Sequence, residues 1–364
     1  MADDSDTSDL GRAWGWTAHL RAGGSTPWSQ WAGAGAPAGS HLPGAQQLEL
    51  LRRLNAAGRV PAHVATRVLE ASAAGRGLPD LPLAGVAQPR PYGPLPVDPA
   101  DLPDDELLRV ASSVIADDVV AAGVPEPVRR GLPRPWRRRY RLAGDPVLAE
   151  PRSADLLTRG HRSPGRYSPV LVLGTDLGQM LVDAWTARSI DEGTDPWRQW
   201  IDRAARADNP PERVDLVRTA AHWREEAGPR RVRVVLDLDE LPGLVGENRA
   251  LDAGRGLSAD AVDLVRRVGL VVGVLAVPAE RRALVRANLL PRLVDAPGEP
   301  LALPERHSRA VRAMANRQRD DLIEGGYAVV GRPDSLLPVE RPGVTEPAAA
   351  GVLALALHLL LENK

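Results

Sequence analysis

The sequence predicts an α/β fold with a mostly parallel central sheet flanked by helices, and three stretches carry that prediction. Residues 170–173 (VLVL) form a short apolar, β-branched run bounded by Pro169 and Gly174, the pattern of a strand buried on both faces. Directly after it, Leu177, Met180, Leu181, Ala184 and Trp185 recur at three- and four-residue steps and define one apolar helical face, with Asp176 placed to act as its N-cap. A second apolar run at residues 232–236 and a third at 327–330 (YAVV) each follow helical stretches. Strands separated by helices pair in parallel, and such folds place ligands where a strand hands over to a helix. An ordinary strand–helix unit without a ligand is the alternative reading of residues 169–193.

At the N-terminus, residues 1–12 are acidic and polar and are expected to form a disordered tail. Residues 13–364 are expected to fold as a single domain. Within it, residues 14–20 (WGWTAHL) read as a first strand running into a Gly-rich turn, RAGGSTP. Strand, Gly-rich turn and helix together make the layout of a phosphate cradle, because backbone amides and a helix N-terminus both attract anions. No lysine follows these glycines, so the GxxxxGK[ST] loop is not present. An ordinary surface loop, continued through GAGAPAGS (33–40), is the alternative.

Residues 46–122 read as a helical segment. QQLELLRRLNAA (46–57) is amphipathic and closed by Gly58, and residues 61–74 form a second helix with proline in the first turn. His63 has no metal-ligand partner at i+4 and reads as a surface or packed histidine. Residues 75–103 are an irregular Pro/Gly-rich connection, and Asp104, Asp105 and Glu106 open a third helix at its dipole-favourable end.

The strongest charge cluster is RRGLPRPWRRRYR (129–141). Arginines interleaved with Trp136 and Tyr140 can grip a phosphorylated ligand or single-stranded nucleic acid; a solvated loop balancing nearby acids is the alternative. Helices are expected over residues 145–160, 196–206 and 212–227. Asp237, Asp239 and Glu240, at the end of the 232–236 run, read as caps for the next helix, with a metal ligand or base as the alternative. From Ser258 the chain is nearly all helix: 259–277, 280–294, 304–325 and 347–362.

Composition narrows the chemistry. The chain has 364 residues, 43% hydrophobic and 26% charged, with a net charge of −1, so no global field drives it toward nucleic acid or an anionic membrane. It has nine Trp, four Tyr and no Phe, so Leu, Val and Ala must fill the core. With no cysteine there can be no disulfide, thiolate zinc site, iron–sulfur cluster or cysteine nucleophile. The start lacks a signal peptide's basic and apolar regions. Residues 348–361 are too short to span a bilayer and contain His358, so a cytoplasmic protein is expected. No HExxH, nucleophile elbow or spaced carboxylate set occurs, and no metal is expected.

Taken in order, these pieces resemble bacterial, in particular actinobacterial, PAPS-dependent sulfotransferases. Those are P-loop-like α/β proteins that transfer a sulfuryl group from PAPS to an acceptor hydroxyl or amine. The resemblance spans most of the chain and is best over residues 169–338. TDLGQMLVDAW (175–185) resembles the family's RDL- or RDP-type strand-to-helix segment, and the spacing to PWRQW and to RVRVVLD is similar. GYAVVGRPDSLLP (326–338) is similar to the family's GYDVVGDLDDLLP-like close, and HLRAGGSTPW (19–28) stands where its phosphosulfate loop stands.

The resemblance implies that Arg21, Gly24, Ser25 and Thr26 hold the phosphosulfate end, with His19 as the candidate base. Thr175 and Asp183 stand at the family's 3′-phosphate positions, otherwise Arg and Ser, and Ala22 stands at its lysine. A carboxylate beside a phosphate adds like-charge repulsion, so Arg137 and Arg139 of the basic cluster become the candidate replacements. Two functions follow as expectations: a sulfotransferase-like enzyme with an altered PAPS site and unnamed acceptor, or a non-catalytic binding or scaffold protein on the same fold. Nucleic-acid binding through residues 129–141 is a third. The expected partner is a small molecule or nucleotide, with no membrane.

Overall fold

The computed structural model describes residues 3–39, 41–71, 80–86, 92–126, 134, 136–207 and 209–362. In chain order, α1 (Asp3–Arg21), α2 (Ala45–Ala57), α3 (Ala62–Glu70) and α4 (Asp104–Ala121) come first. Then β1 (Arg141–Gly144), α5 (Pro146–Thr158), β2 (Val170–Leu173), α6 (Leu177–Asp191), α7 (Trp197–Arg206), α8 (Leu216–Ala227) and β3 (Val232–Val235) follow one another. After these come α9 (Leu241–Val245), α10 (Ala259–Leu275), α11 (Pro278–Leu284), α12 (Leu290–Leu293), α13 (Glu305–Glu324), β4 (Val329–Val330) and α14 (Ala349–Glu362). The strands form one all-parallel sheet in the order β1-β2-β3-β4, so the α/β class expected from the sequence is present.

Contacts divide the chain into two compact units. One comprises Met1–Val124, Asp263–Ala296 and Ala348–Lys364, the other Pro125–Val262 and Pro297–Pro347. The first is helical. Its α2 packs against α1, α3, α4 and α14. Leu48, Leu51 and Leu54 from α2, Leu107 and Leu108 from α4, and Val352 and Ala356 from α14 are wholly buried. Burying each such leucine stabilises the fold by about 1.5–3 kcal/mol over leaving it in water.

One expectation for the N-terminus is corrected here. Residues 14–20 are the end of α1, Asp3–Arg21, rather than a strand. Ala13, Trp16, Thr17 and Leu20 are buried at steps of three, one and three residues, the helical period, which overrides the apparent alternation of WGWTAHL. The helix predicted over 61–74 stops at Glu70, and residues 72–79 lie outside the described residues.

The second unit holds the sheet between two apolar layers. Val170, Val172, Val232 and Val234 face a layer from α6, α7, α8 and α13, and Leu171, Leu173 and Val235 face a smaller one from α5 and α9. Tryptophan supplies the aromatic bulk that Phe would otherwise give. Trp185 meets Trp197 edge-on at 5.5 Å, and Trp197 stacks on Trp200 at 5.7 Å. Their indoles stay satisfied, Trp185 donating to Asp195 O and Trp197 to Thr345 O, each at 3.0 Å. β1 escapes the sequence pattern because RLAG is an edge strand, paired on one side and half-buried throughout. Among the described residues, no helix is long and apolar enough to cross a membrane.

Candidate anion-binding pocket

The Gly-rich turn at residues 21–27 follows a helix rather than a strand, and both of its glycine amides are bonded locally: Gly23 N donates to Leu20 O at 3.0 Å and Gly24 N to His19 O at 2.9 Å. Gly23 takes φ +92°, the left-handed conformation that ends a helix. The glycines therefore cap α1. His19 lies across Gly24, its Nε2 3.1 Å from Thr26 Oγ1 and its ring 4.6 Å from Trp31. Arg21 and Ser25 are exposed. These five candidate residues belong to the helical unit, whereas Thr175, Asp183, Arg137 and Arg139 belong to the sheet unit.

At the C-terminal end of the sheet the carboxylates serve the fold. Asp176 caps α6, accepting from Gln179 N at 3.1 Å, and forms an ion pair with Arg341. Asp145 caps α5 through Val147 N at 2.9 Å. Asp183 accepts from Gln179 Nε2 at 2.8 Å. Asp145 and Asp183 are buried beside each other. Burial, then the negative charge and hydrogen bond of Asp183, push the Asp145 carboxyl well above its usual range. Burial likewise raises Asp183 to about 6. Thr175, half-buried, opens the turn into α6. Asp237, read from the sequence as a helix cap, instead accepts from Asp239 N at 3.1 Å in a local turn, and Glu240 makes no side-chain cap for α9.

The basic residues converge at the opposite end. In a parallel sheet all strand N-termini lie at one edge, and here each of three strands is preceded by arginines. Arg137, Arg138 and Arg139 precede β1, Arg166 precedes β2, and Arg230 and Arg231 precede β3. Arg233, within β3, is paired in register with Leu171. These seven arginines line one cavity of about 650 Å³, with Leu171, Leu244 and Pro169 as apolar wall and, among the described residues, no acid in the lining. Arg137 is spent on Glu247, and Arg231 donates to Ala227 O at 3.0 Å. Among the described residues, Arg138, Arg139, Arg166, Arg230 and Arg233 have no carboxylate partner. Tyr167, largely exposed, stands between the guanidiniums of Arg166 (5.7 Å) and Arg231 (5.4 Å).

Local bonds hold the lining in place. Gly165 N donates to Ser168 Oγ at 2.9 Å, closing the turn before β2, and Arg141 N donates to Pro169 O at 2.9 Å. His161, buried beneath the first arginine segment, sits 2.9 Å from Arg138 O.

No family model, curated protein or solved structure matches this chain. The site is read from its own chemistry. Arg137 and Arg139, singled out in the sequence, fall in the pocket, but Arg166, Tyr167, Arg230, Arg231 and Arg233 complete it. Their common signal was basic residues recurring just ahead of successive strands. Among the described residues, no group of three or more His, Asp or Glu side chains is placed to hold a metal.

Proposed function

We propose that the protein binds a phosphate- or sulfate-bearing small molecule of nucleotide size in the arginine-lined pocket at the N-terminal edge of its sheet. One observation carries this reading: seven guanidiniums around a 650 Å³ cavity with, among the described residues, no acid in its lining. Five of them, unpaired with carboxylates, repel one another until an anion enters, and guanidinium forks match phosphate and sulfate oxygens bidentately. The volume falls within the ~300–1,000 Å³ usual for ligand pockets. Tyr167 offers a ring face for a base or other flat group. The resemblance to PAPS-dependent sulfotransferases makes PAP and PAPS the first ligands to try. The geometry supports binding more directly than sulfuryl transfer, because the amides of Gly23 and Gly24 are already bonded within the end of α1.

The test is a thermal-shift and calorimetric titration with PAP, PAPS, ADP and a short oligothymidylate. A ligand at a hundred times its Kd should stabilise the protein by about 2.7 kcal/mol. Arg233→Ala removes one charge-assisted contact and should weaken binding roughly tenfold or more. Arg21→Ala should leave it unchanged. No response to any phosphorylated ligand up to millimolar concentration, or equal binding by Arg233→Ala, overturns the reading. A response to the oligonucleotide alone, falling steeply with salt, would replace it with single-strand binding across Trp136 and Tyr167.

A further inference from the structure

The pocket's first arginine segment is held by a histidine whose two neighbours both demand a proton. His161 is 4% exposed. Its Nδ1 lies 2.9 Å from the backbone oxygen of Arg138, and its Nε2 lies 2.8 Å from Glu247 Oε1. A carbonyl and a carboxylate only accept hydrogen bonds. A neutral imidazole carries one N–H and can serve one of them, leaving a lone pair facing a lone pair at the other. The imidazolium serves both. We infer that His161 is a positioning residue of the pocket, and that it anchors the arginine segment only when its ring carries both protons, so that anion binding is coupled to proton uptake.

This inference rests on the pocket reading above and adds its regulation. The groups facing the ring come from three elements. The segment before β1 supplies Arg137 and the Arg138 carbonyl, with the Tyr140 ring centred 6.1 Å away. The C-terminal end of α5 supplies Arg159, which reaches Asp155 at 2.7 Å and Glu247 at 3.4 Å. The chain after α9 supplies Glu247, half-buried and in contact with Arg137, Arg159 and His161. Arg137 and Arg159 oppose a charge on the ring, and the Glu247 carboxylate between them offsets it. Burial works against ionised Glu247, but the His161 hydrogen bond and the two arginines hold its carboxyl below the usual range, so it stays an acceptor.

Losing the ring proton releases either Arg138 O or Glu247. In the first case the backbone carrying Arg137–Arg139 loses its anchor, and in the second Glu247, which holds the Arg137 side chain of the same segment, loses a hydrogen bond. Each outcome loosens the wall that meets the ligand. By linkage, an anion in the pocket must favour the protonated ring by the same factor.

The experiment titrates the whole protein with inorganic sulfate, whose charge is constant over the range used, at pH about 6 and about 8.5, bracketing histidine titration. Binding should be about tenfold tighter at the lower pH, a typical coupling between linked sites. Calorimetry in buffers of different ionisation enthalpy should show proton uptake on binding. His161→Gln keeps a donor that does not titrate and should flatten both the pH profile and the proton uptake. Ring ¹⁵N spectra of the unaltered protein, which need no variant to fold, should show two protonated nitrogens on His161 at the lower pH. Sulfate binding that is equal at both pH values, an unchanged profile in His161→Gln, or a singly protonated ring throughout overturns the inference while leaving the pocket standing. Absence of anion binding at either pH overturns the pocket and the inference together.

Discussion

Replacing Asp183 with asparagine should make the protein more stable at alkaline pH, and the reason lies in the paired carboxyls behind β1. Asp183 and Asp145 are 6% and 1% exposed. Burial raises both, and Asp183 moves from its ordinary 3.8 to about 6. A carboxyl raised in the folded state holds its proton more tightly there than in the unfolded chain. Its stability contribution is therefore intact below pH ~4 and falls as pH climbs through about 6. The difference between 3.8 and about 6 corresponds to about 3 kcal/mol. Asparagine keeps an oxygen to accept from Gln179 Nε2 and removes the charge that burial penalises. Urea midpoints of the two proteins, read at several pH values, make the test. They should coincide near pH 4 and separate by pH 8, with Asp183→Asn the more stable by about 3 kcal/mol. A variant that is less stable at pH 8, or a gap independent of pH, would refute the assignment of a raised carboxyl at this place.

Two further substitutions test the packing of the sheet unit. Gly144 ends β1 at φ +93°, and a Cβ there would collide with the carbonyl oxygen of Leu173. That oxygen also accepts from Asp145 N at 3.0 Å, so it cannot move freely. Gly144→Ala should lower the unfolding free energy by about 1–3 kcal/mol, seen as a lower urea midpoint; an unchanged midpoint contradicts the tight crossing. Trp197→Ala removes the ring between Trp185 and Trp200 and leaves Thr345 O without its donor. It should cost about 3–5 kcal/mol, and a loss below 1 kcal/mol would mean that the cluster repacks.

The legible parts of this chain were those with one dominant period. VLVL could only be a strand buried on both faces, and α6, capped by Asp176, follows it as the sequence implies. Helices α2, α4, α7 and α13 likewise match their expected positions to within two residues or so. The failures have physical causes. WGWTAHL fits both a two-residue and a 3.6-residue period by residue type, and the burial of Thr17 with Trp16 and Leu20, while Ala18 is exposed, follows the helical one. The glycines after it end that helix, and Gly-rich turns both bind phosphate and end helices, so composition does not separate the two uses. β1 has no apolar alternation because an edge strand needs little. The pocket was half visible for a different reason. Its arginines lie up to 96 residues apart, from Arg137 to Arg233, and only the parallel pairing of three strands brings their leading segments to one edge.

That edge explains why the arginines gather where they do. Ligands of parallel α/β sheets ordinarily sit at the C-terminal ends of the strands. In this protein that end is held by Asp145, Asp176 and Asp183, which cap helices or bond to Gln179 and Arg341. Helices that return from one parallel strand to the next finish near the strand N-termini, bringing the negative ends of their dipoles with them. Cations are favoured there. Arg231 on the last carbonyl of α8 and Arg159 at the end of α5 are used in this way. That need is met by a few side chains, and Arg137 and Arg159 also satisfy Glu247. Arg138, Arg139, Arg166, Arg230 and Arg233 remain beyond it, facing one cavity and, among the described residues, with no carboxylate of their own. Exposed like charges at such spacing contribute little to folding and weaken it slightly. Arginines kept only for stability would be paired with acids, as Arg52 and Arg53 are with Glu49 in the helical unit. An unpaired cluster over an apolar wall is the arrangement that a bound anion completes.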